Sequence, residues 1–146
     1  MVILTERLPT ETKVEVSFTL PLTAEARTKT RQRLEISEGN WICLRLPRGT
    51  ILKDGDLLLS EADNVVVRIV AQPEPVITVR GKTRLDLLKA AYHLGNRHVP
   101  IEITPEYLRL TPDPVLHSLL IKLGLQVIEE TVPFHPETGA YGHSHS

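Results

Sequence analysis

The hydrophobic periodicity of the chain changes at residues 73–75, and this change constrains the possible folds more than any other feature. Before it, apolar and polar residues alternate in short runs, as at residues 14–20, a pattern typical of half-buried strands. After it, short apolar runs alternate with stretches of helical spacing. Residues 73–75 read Pro-Glu-Pro. Because proline donates no hydrogen bond to a sheet and stiffens a connector, we predict a domain boundary here.

The first half of the chain predicts strands and turns. No helix with a capping pattern precedes the Pro-Glu-Pro segment. Evenly spaced short strands are typical of a small sandwich or partial barrel, so residues 1–73 are predicted to form a small all-β domain. The predicted strands are residues 14–20, 33–36, 41–46, 57–59 and 65–70.

The second half predicts alternating strands and helices. Thr83, followed three residues later by Asp86, resembles a capping box and opens a helix that runs to residue 94. Asp113 caps a second helix, with Pro114 at its first position, where proline is favoured. The order βαββαβ is the ferredoxin-like motif, so the fold class is α+β, with residues 74–132 as a ferredoxin-like domain. The predicted strands are residues 76–79, 99–103, 107–110 and 125–131.

Both predicted helices have broad apolar faces and are followed by glycines, Gly95 and Gly124, which favour the position after a helix. The first face is wide enough to cover both a sheet and a neighbouring surface. Its stripe is Leu85, Leu88 and Tyr92, widened by Leu87, Ala91 and Leu94, and the second stripe is Val115, Leu116, Leu119, Leu120 and Leu123.

The composition narrows the class of protein. The 17 Lys and Arg nearly balance the 18 Asp and Glu, which indicates neither a nucleic-acid partner nor an acidic membrane surface. No apolar run approaches the ~20 residues of a bilayer span, and Glu6 and Glu11 interrupt any signal region. The single cysteine, Cys43, forms no internal disulfide and is predicted to be buried. We expect a soluble, cytoplasmic protein.

Catalytic motifs are missing from the sequence. It contains no GxSxG, HExxH or P-loop pattern and no cysteine pair, and its carboxylates are too scattered to nominate an acid–base pair. Residues 53–57 form a turn pattern without the remaining ligands of a calcium loop. We therefore predict that the protein is not an enzyme.

The six histidines all lie after residue 92. His98 follows the first predicted helix in a connecting loop, a common place for functional residues, although a hydrogen bond to local backbone would also explain it. His93 lies five residues earlier, a spacing that does not place both on one helical face unless the turn between them folds back. His117 points away from the leucine stripe and is predicted to be an exposed surface histidine.

Residues 133–146 contain Pro, Gly, Ser and His without apolar periodicity and are predicted to form a flexible tail. Within it, His143 and His145 stand two residues apart. Imidazole is a good ligand for nickel, zinc, copper and iron, and a flexible pair can close on an ion at some entropic cost. A solvated tail with two incidental histidines is the alternative.

Several segments together resemble the urease accessory protein UreE family over nearly the whole chain. The most specific is residues 91–98, which read Ala-Tyr-His-Leu-Gly-Asn-Arg-His. The others are Arg-Gln-Arg at 31–33, Leu-Pro-Arg-Gly-Thr at 46–50 with Asp-Gly-Asp at 54–56, and Pro-Phe-His-Pro-Glu at 133–137 with Gly-Ala-Tyr at 139–141.

The resemblance implies a peptide-binding N-terminal β domain, a ferredoxin-like metal-binding domain and a homodimer. It implies a carrier that delivers Ni²⁺ to apo-urease, with UreG and the apo-urease–UreD–UreF complex as partners. Because Cu²⁺ binds histidine sites more tightly and Zn²⁺ comparably, either ion is expected to substitute in vitro. It assigns His98 as the principal metal ligand, His143 and His145 as further ligands, and His93 less firmly. Residues 112–114 lack the histidines of some members, so few metal ions per dimer are expected.

A physical hypothesis follows for the metal site. One His98 side chain cannot hold a divalent ion securely, but a two-fold dimer would bring two copies to one ion. Tail histidines would complete the shell. Two other functions remain open at this point: an interaction module that binds a client peptide, and a metal-dependent hydrolase, for which the sequence offers no ligand set with a general base.

Overall fold

The structure is a computed structural model that describes residues 1–60, 62 and 64–138. The chain divides into two compact units, with the boundary between Ala71 and Gln72. Each unit has its own hydrophobic core. No helix in the described part of the chain is long and apolar enough to cross a membrane.

The first unit is built from strands, as predicted. The strands are β1 (Val2–Leu4), β2 (Glu6–Arg7), β3 (Phe18–Leu22), β4 (Arg31–Ser37), β5 (Asn40–Arg45), β6 (Leu57–Ser60) and β7 (Val65–Ala71), with a 3-10 turn at Ala26–Thr28. They form a three-stranded sheet of order β1-β5-β4 and a four-stranded sheet of order β2-β6-β7-β3. Buried leucine, isoleucine and valine side chains from both sheets make one core, and Cys43 is buried.

Strand β3 spans Phe18–Leu22 and not the predicted residues 14–20. Its limits are set by pairing with a neighbouring strand and not by the alternation of apolar and polar residues. It pairs in parallel with β7, and its first register partner is Val67, opposite Phe18. The Ser17 amide donates to the Val66 carbonyl at 2.7 Å, and the Val66 amide returns a bond to the Ser17 hydroxyl at 3.3 Å. The alternating residues before Ser17 therefore lie outside the strand.

The second unit confirms the ferredoxin-like prediction. Its elements are β8 (Pro73–Arg80), α1 (Arg84–Asn96), β9 (Glu102–Ile103), β10 (Leu108–Leu110), α2 (Pro114–Lys122) and β11 (Gln126–Pro133). The sheet order is β11-β8-β10-β9, and neighbouring strands are antiparallel. Both helices pack their buried residues onto one core with this sheet. The predicted caps also form: Thr83 and Asp86 make a reciprocal capping box, and Asp113 caps α2 ahead of Pro114.

The Pro-Glu-Pro segment is not the connector that the sequence predicts, because it opens strand β8. Pro73 lies opposite Pro133 of β11, and Pro75 lies opposite Thr131. On its other side β8 pairs with β10 only as far as Ile77, so the two prolines lie beyond the end of that neighbour. Proline is tolerated where a strand has one partner, since its missing donor interrupts no central ladder.

The prediction of a flexible tail from residue 133 is wrong for residues 133–138. Pro133 ends strand β11, and Phe134 is 2% exposed. The Glu137 amide donates to the Ile101 carbonyl at 2.7 Å. A single buried aromatic residue leaves no periodic signal, so the sequence pattern did not reveal this packing. The rest of the predicted tail, residues 139–146, lies outside the described residues.

The apolar faces of both helices are only partly buried. In α1 the buried residues are Leu87, Ala90 and Leu94. The side of the predicted face that holds Leu87 and Leu94 covers the sheet, whereas Leu85, Leu88 and Tyr92 are 56%, 66% and 66% exposed. In α2, Leu116 and Leu120 are buried, while Val115 and Leu123 are exposed.

Candidate metal centre

His98 lies at the end of α1, in a backbone conformation that favours glycine. Its φ is +56°, in the left-handed region. The His98 amide donates to the Gly95 carbonyl at 3.0 Å, and the Val99 amide donates to the Leu94 carbonyl at 3.2 Å. This pair of bonds is the Schellman motif, in which the left-handed residue directly follows the C-cap, here Arg97. The left-handed residue after the C-cap is therefore His98 and not the predicted Gly95, and the helix ends at Asn96 rather than at residue 94.

Helix α2 ends in the same motif but has glycine at the corresponding position. Gly124 has φ +84° and donates to the Ile121 carbonyl at 3.0 Å, while the Leu125 amide donates to the Leu120 carbonyl at 3.1 Å. A non-glycine residue in this conformation costs about 1–2 kcal/mol. The His98 imidazole is thus kept at a position where the backbone favours glycine, and such positions cluster at functional sites.

The His98 side chain is exposed, whereas His93 is half-buried on the last turn of α1. The His93 ring contacts the Tyr92 ring edge-on, with centroids 5.5 Å apart. The guanidinium of Arg97 donates to the His93 carbonyl at 3.0 Å, which holds the turn between the two histidines. Within the described ranges, no three His, Cys, Asp or Glu side chains come close enough to hold a metal ion.

The other histidines fall in different places. His117 is half-buried rather than exposed as predicted, and it lines a pocket of about 360 Å³ with Pro112, Asp113 and Glu129. His135 is exposed, and its amide donates to a carboxylate oxygen of Glu102 at 2.9 Å. His143 and His145 lie outside the described residues, so their assignment as ligands stays a prediction.

The C-terminal segment, residues 134–138, is hydrogen-bonded to the part of the chain that directly follows His98. It leaves β11 at one edge of the sheet and bonds Ile101, just before β9, at the other edge. Ile101 is three residues from His98, at most about 10 Å of extended chain. His143 is six residues beyond Glu137, a reach of about 20 Å. The chain length therefore permits His143 to reach His98.

A polar network on β9 and β10 holds that segment, and the sequence reasoning missed it. Glu102 is 7% exposed and lies opposite Arg109 in the sheet register. Besides the His135 amide, its carboxylate accepts bonds from the Tyr107 hydroxyl at 3.3 Å and the Arg109 guanidinium at 3.4 Å. The signal that could have found it is an acidic residue within a predicted strand.

An apolar surface on α1 adjoins the turn that carries His98. Leu85, Leu88 and Tyr92 are spaced by three and four residues, so they share one exposed helical face. Beside them, Leu88 and Ala91 line a pocket of about 390 Å³ whose other wall includes Ile103. Exposed apolar surface of this kind marks sites of protein association.

Comparison with known proteins agrees with this arrangement of units. The N-terminal domain of the UreE urease accessory protein, as a family model, matches residues 4–72, and the C-terminal domain matches residues 74–146. The chain is also similar to curated proteins named urease accessory protein UreE. One from Nostoc sp. (strain PCC 7120) is 52% identical over 145 residues, which cover 99% of both chains.

Two further relatives show how far the similarity extends. UreE of Nostoc punctiforme is 54% identical over 145 residues, covering 99% of this chain and 98% of the relative. UreE of Burkholderia vietnamiensis is 51% identical over 127 residues, covering 87% of this chain and 63% of that longer relative. These matches confirm the resemblance found in the sequence: the chain belongs to the UreE family of urease accessory proteins.

Proposed function

We propose that this protein carries Ni²⁺ in the cytoplasm and delivers it to apo-urease while the urease metal centre is assembled. Family membership supports a role in urease maturation, since the relatives are named urease accessory proteins. An accessory protein of this kind binds and releases its cargo without catalysing a reaction. UreG and the apo-urease–UreD–UreF complex are the proposed partners.

The observation that carries the proposal is the placement of His98. An exposed imidazole occupies a left-handed position that the corresponding turn of α2 gives to glycine. Folding alone would favour glycine there, which supports a role for the imidazole other than stability. Imidazole nitrogen suits Ni²⁺, and because Zn²⁺ and Cu²⁺ also bind such ligands, they should substitute in vitro.

One His98 side chain is not a sufficient metal site, and a homodimer supplies a second His98. An isologous interface places the same surface of two subunits face to face, so residues near its axis meet their own copies. The exposed stripe of Leu85, Leu88 and Tyr92 supports an interface on α1, because it offers apolar area on the helix that ends at His98. Two imidazoles would then converge on one ion.

The remaining ligands in the proposal are His143 and His145, with His93 as a weaker candidate. The chain length from Glu137 allows the two C-terminal histidines to reach His98. Ligands on the packed turn at His98 would set the position of the ion, and the C-terminal ligands would dissociate more readily. This division suits a carrier, which must release its ion to a partner.

Calorimetric titration of Ni²⁺ tests the proposal. The set comprises the wild type, His98→Ala, a chain truncated after Gly142, and His117→Ala as a matched histidine control, with the mass of each measured by sedimentation. We expect one tight ion per dimer in the wild type, its loss in His98→Ala and weaker binding after truncation. Unchanged binding by His98→Ala, or equal loss in His117→Ala, would overturn the assignment.

A further inference from the structure

We propose that Glu102 is a positioning residue for nickel binding, because it fastens the C-terminal segment beside His98 and so sets where the tail histidines start. The inference rests on the proposed function and deepens it. Glu102 touches no metal in this account and acts through residues 134–138. Its carboxylate joins three partners, of which only one, the His135 amide, belongs to that segment.

The geometry around Glu102 favours one orientation of its carboxylate. Oε2 faces the sheet, where it accepts from the Tyr107 hydroxyl and the Arg109 guanidinium. Arg109 is itself held by a bond from Nε to the Thr78 hydroxyl at 3.0 Å and by packing 4.2 Å from the centre of the Tyr107 ring. Oε1 is left to accept the His135 amide at 2.9 Å. Hydrogen bonds to a carboxylate are stronger than those between neutral groups.

A second tether works with the first. The Glu137 amide donates to the Ile101 carbonyl at 2.7 Å, next to Glu102 in sequence. Phe134, which begins the segment, is buried. Residues 134–138 are thus fixed at three points. The tail therefore starts at the β9 edge of the sheet, which follows His98 in sequence, and not at the end of β11.

The consequence for metal binding is an effective concentration. From Glu137 the chain to His143 is six residues long, whereas from Pro133 it would be ten. The local concentration of a tethered ligand falls roughly as the −3/2 power of the tether length. The longer tether alone therefore lowers the concentration of the tail histidines about twofold. Release of residues 134–138 also moves the attachment point of the tail to the opposite edge strand, β11. The contribution of the tail to Ni²⁺ affinity should therefore fall about 2- to 10-fold in total.

The test measures the tail-dependent gain in affinity. This gain is the Ni²⁺ Kd of the chain truncated after Gly142 divided by the Kd of the full chain, determined in each background. Glu102→Ala removes one tether, and Glu137→Pro removes the donor of the other at an exposed position. Glu130→Ala is the matched control, since Glu130 also pairs with Arg109, at 3.6 Å, but does so from β11 rather than from β9.

We expect the gain to fall about 2- to 10-fold in Glu102→Ala and in Glu137→Pro, and to stay unchanged in Glu130→Ala. Amide hydrogen exchange at His135 should speed up in Glu102→Ala, which verifies the release. An unchanged gain in both tether variants would overturn the inference, and so would an equal fall in Glu130→Ala. Failure of the proposed function would look different, because the wild type would then bind Ni²⁺ without needing His98 or the tail.

Discussion

Replacing His98 by glycine should stabilise the fold and abolish the metal site at once. The left-handed backbone at His98 costs a non-glycine residue about 1–2 kcal/mol. Glycine removes that cost but loses about 0.5–1 kcal/mol through the greater freedom of the unfolded chain. His98→Ala keeps the backbone cost and lacks the imidazole. We therefore expect the apo form of His98→Gly to be about 1 kcal/mol more stable than that of His98→Ala.

The assay must report on the second unit. Trp41, the single tryptophan, lies in β5 of the first unit, so its fluorescence would follow the wrong unfolding transition. Both α-helices of the described residues lie in the second unit, so ellipticity at the helical band follows the relevant one. For a unit of this size, 1 kcal/mol corresponds to a shift of about 4–8 °C in Tm.

The matched control is the opposite exchange at the same motif in α2. Gly124→His introduces a side chain at φ +84°, where no atom lies within 4 Å of the added Cβ, so the cost should come from the backbone alone. After the same offset of about 0.5–1 kcal/mol from the less free unfolded chain, a net loss of about 1 kcal/mol is expected. If His98→Gly were less stable than His98→Ala, the left-handed backbone would not be costly at His98, and tight Ni²⁺ binding by His98→Gly would exclude the imidazole as the principal ligand.

Three further predictions follow from the second unit. Thr83→Ala should lower the free energy of unfolding, followed at the helical band, by about 1 kcal/mol, because it removes the 3.2 Å hydrogen bond from the Asp86 amide to the Thr83 hydroxyl. Ni²⁺ affinity should stay unchanged, since no proposed ligand is lost, and a large loss of affinity would contradict this. Leu88→Asp should shift sedimentation toward the monomer and weaken Ni²⁺ binding while helical stability holds, since the side chain is already exposed; a stable dimer would place the interface elsewhere. Lowering the pH from about 7.5 to 5 should weaken Ni²⁺ binding in calorimetry, because protons compete with the ion for imidazole, and a flat profile would argue against histidine ligands.

Local signals in the sequence predicted the elements of the second unit. Helix caps depend on residues about three positions apart, so the pattern at Thr83, Asp86 and Asp113 predicted both helix starts correctly. The order βαββαβ then led directly to the observed sheet. Each of these features depends on neighbours in sequence, and for that reason it can be read without knowing the tertiary contacts.

Features that depend on distant partners were not predictable. In α1 two sets of residues have helical spacing, and only packing shows that Leu87 is buried while Leu88 is not. Proline at Pro73 suggested a linker, but the limited extent of β10 allows it to lie in β8. Phe134 is buried by contacts that no pattern announces. The left-handed backbone at His98 was equally hidden, because a sequence shows histidine and not φ.

NMR titration of the labelled protein with Ni²⁺ would show whether two copies of His98 share one nickel ion. Ni²⁺ should shift or broaden the amide signals of residues 95–99 in every chain, and the change should be complete at about half an equivalent of metal per chain. Signals around His117 should stay in place at that point. Saturation at a full equivalent per chain would mean that each chain binds its own ion, and changes that begin at His117 and spare His98 would place the metal site elsewhere.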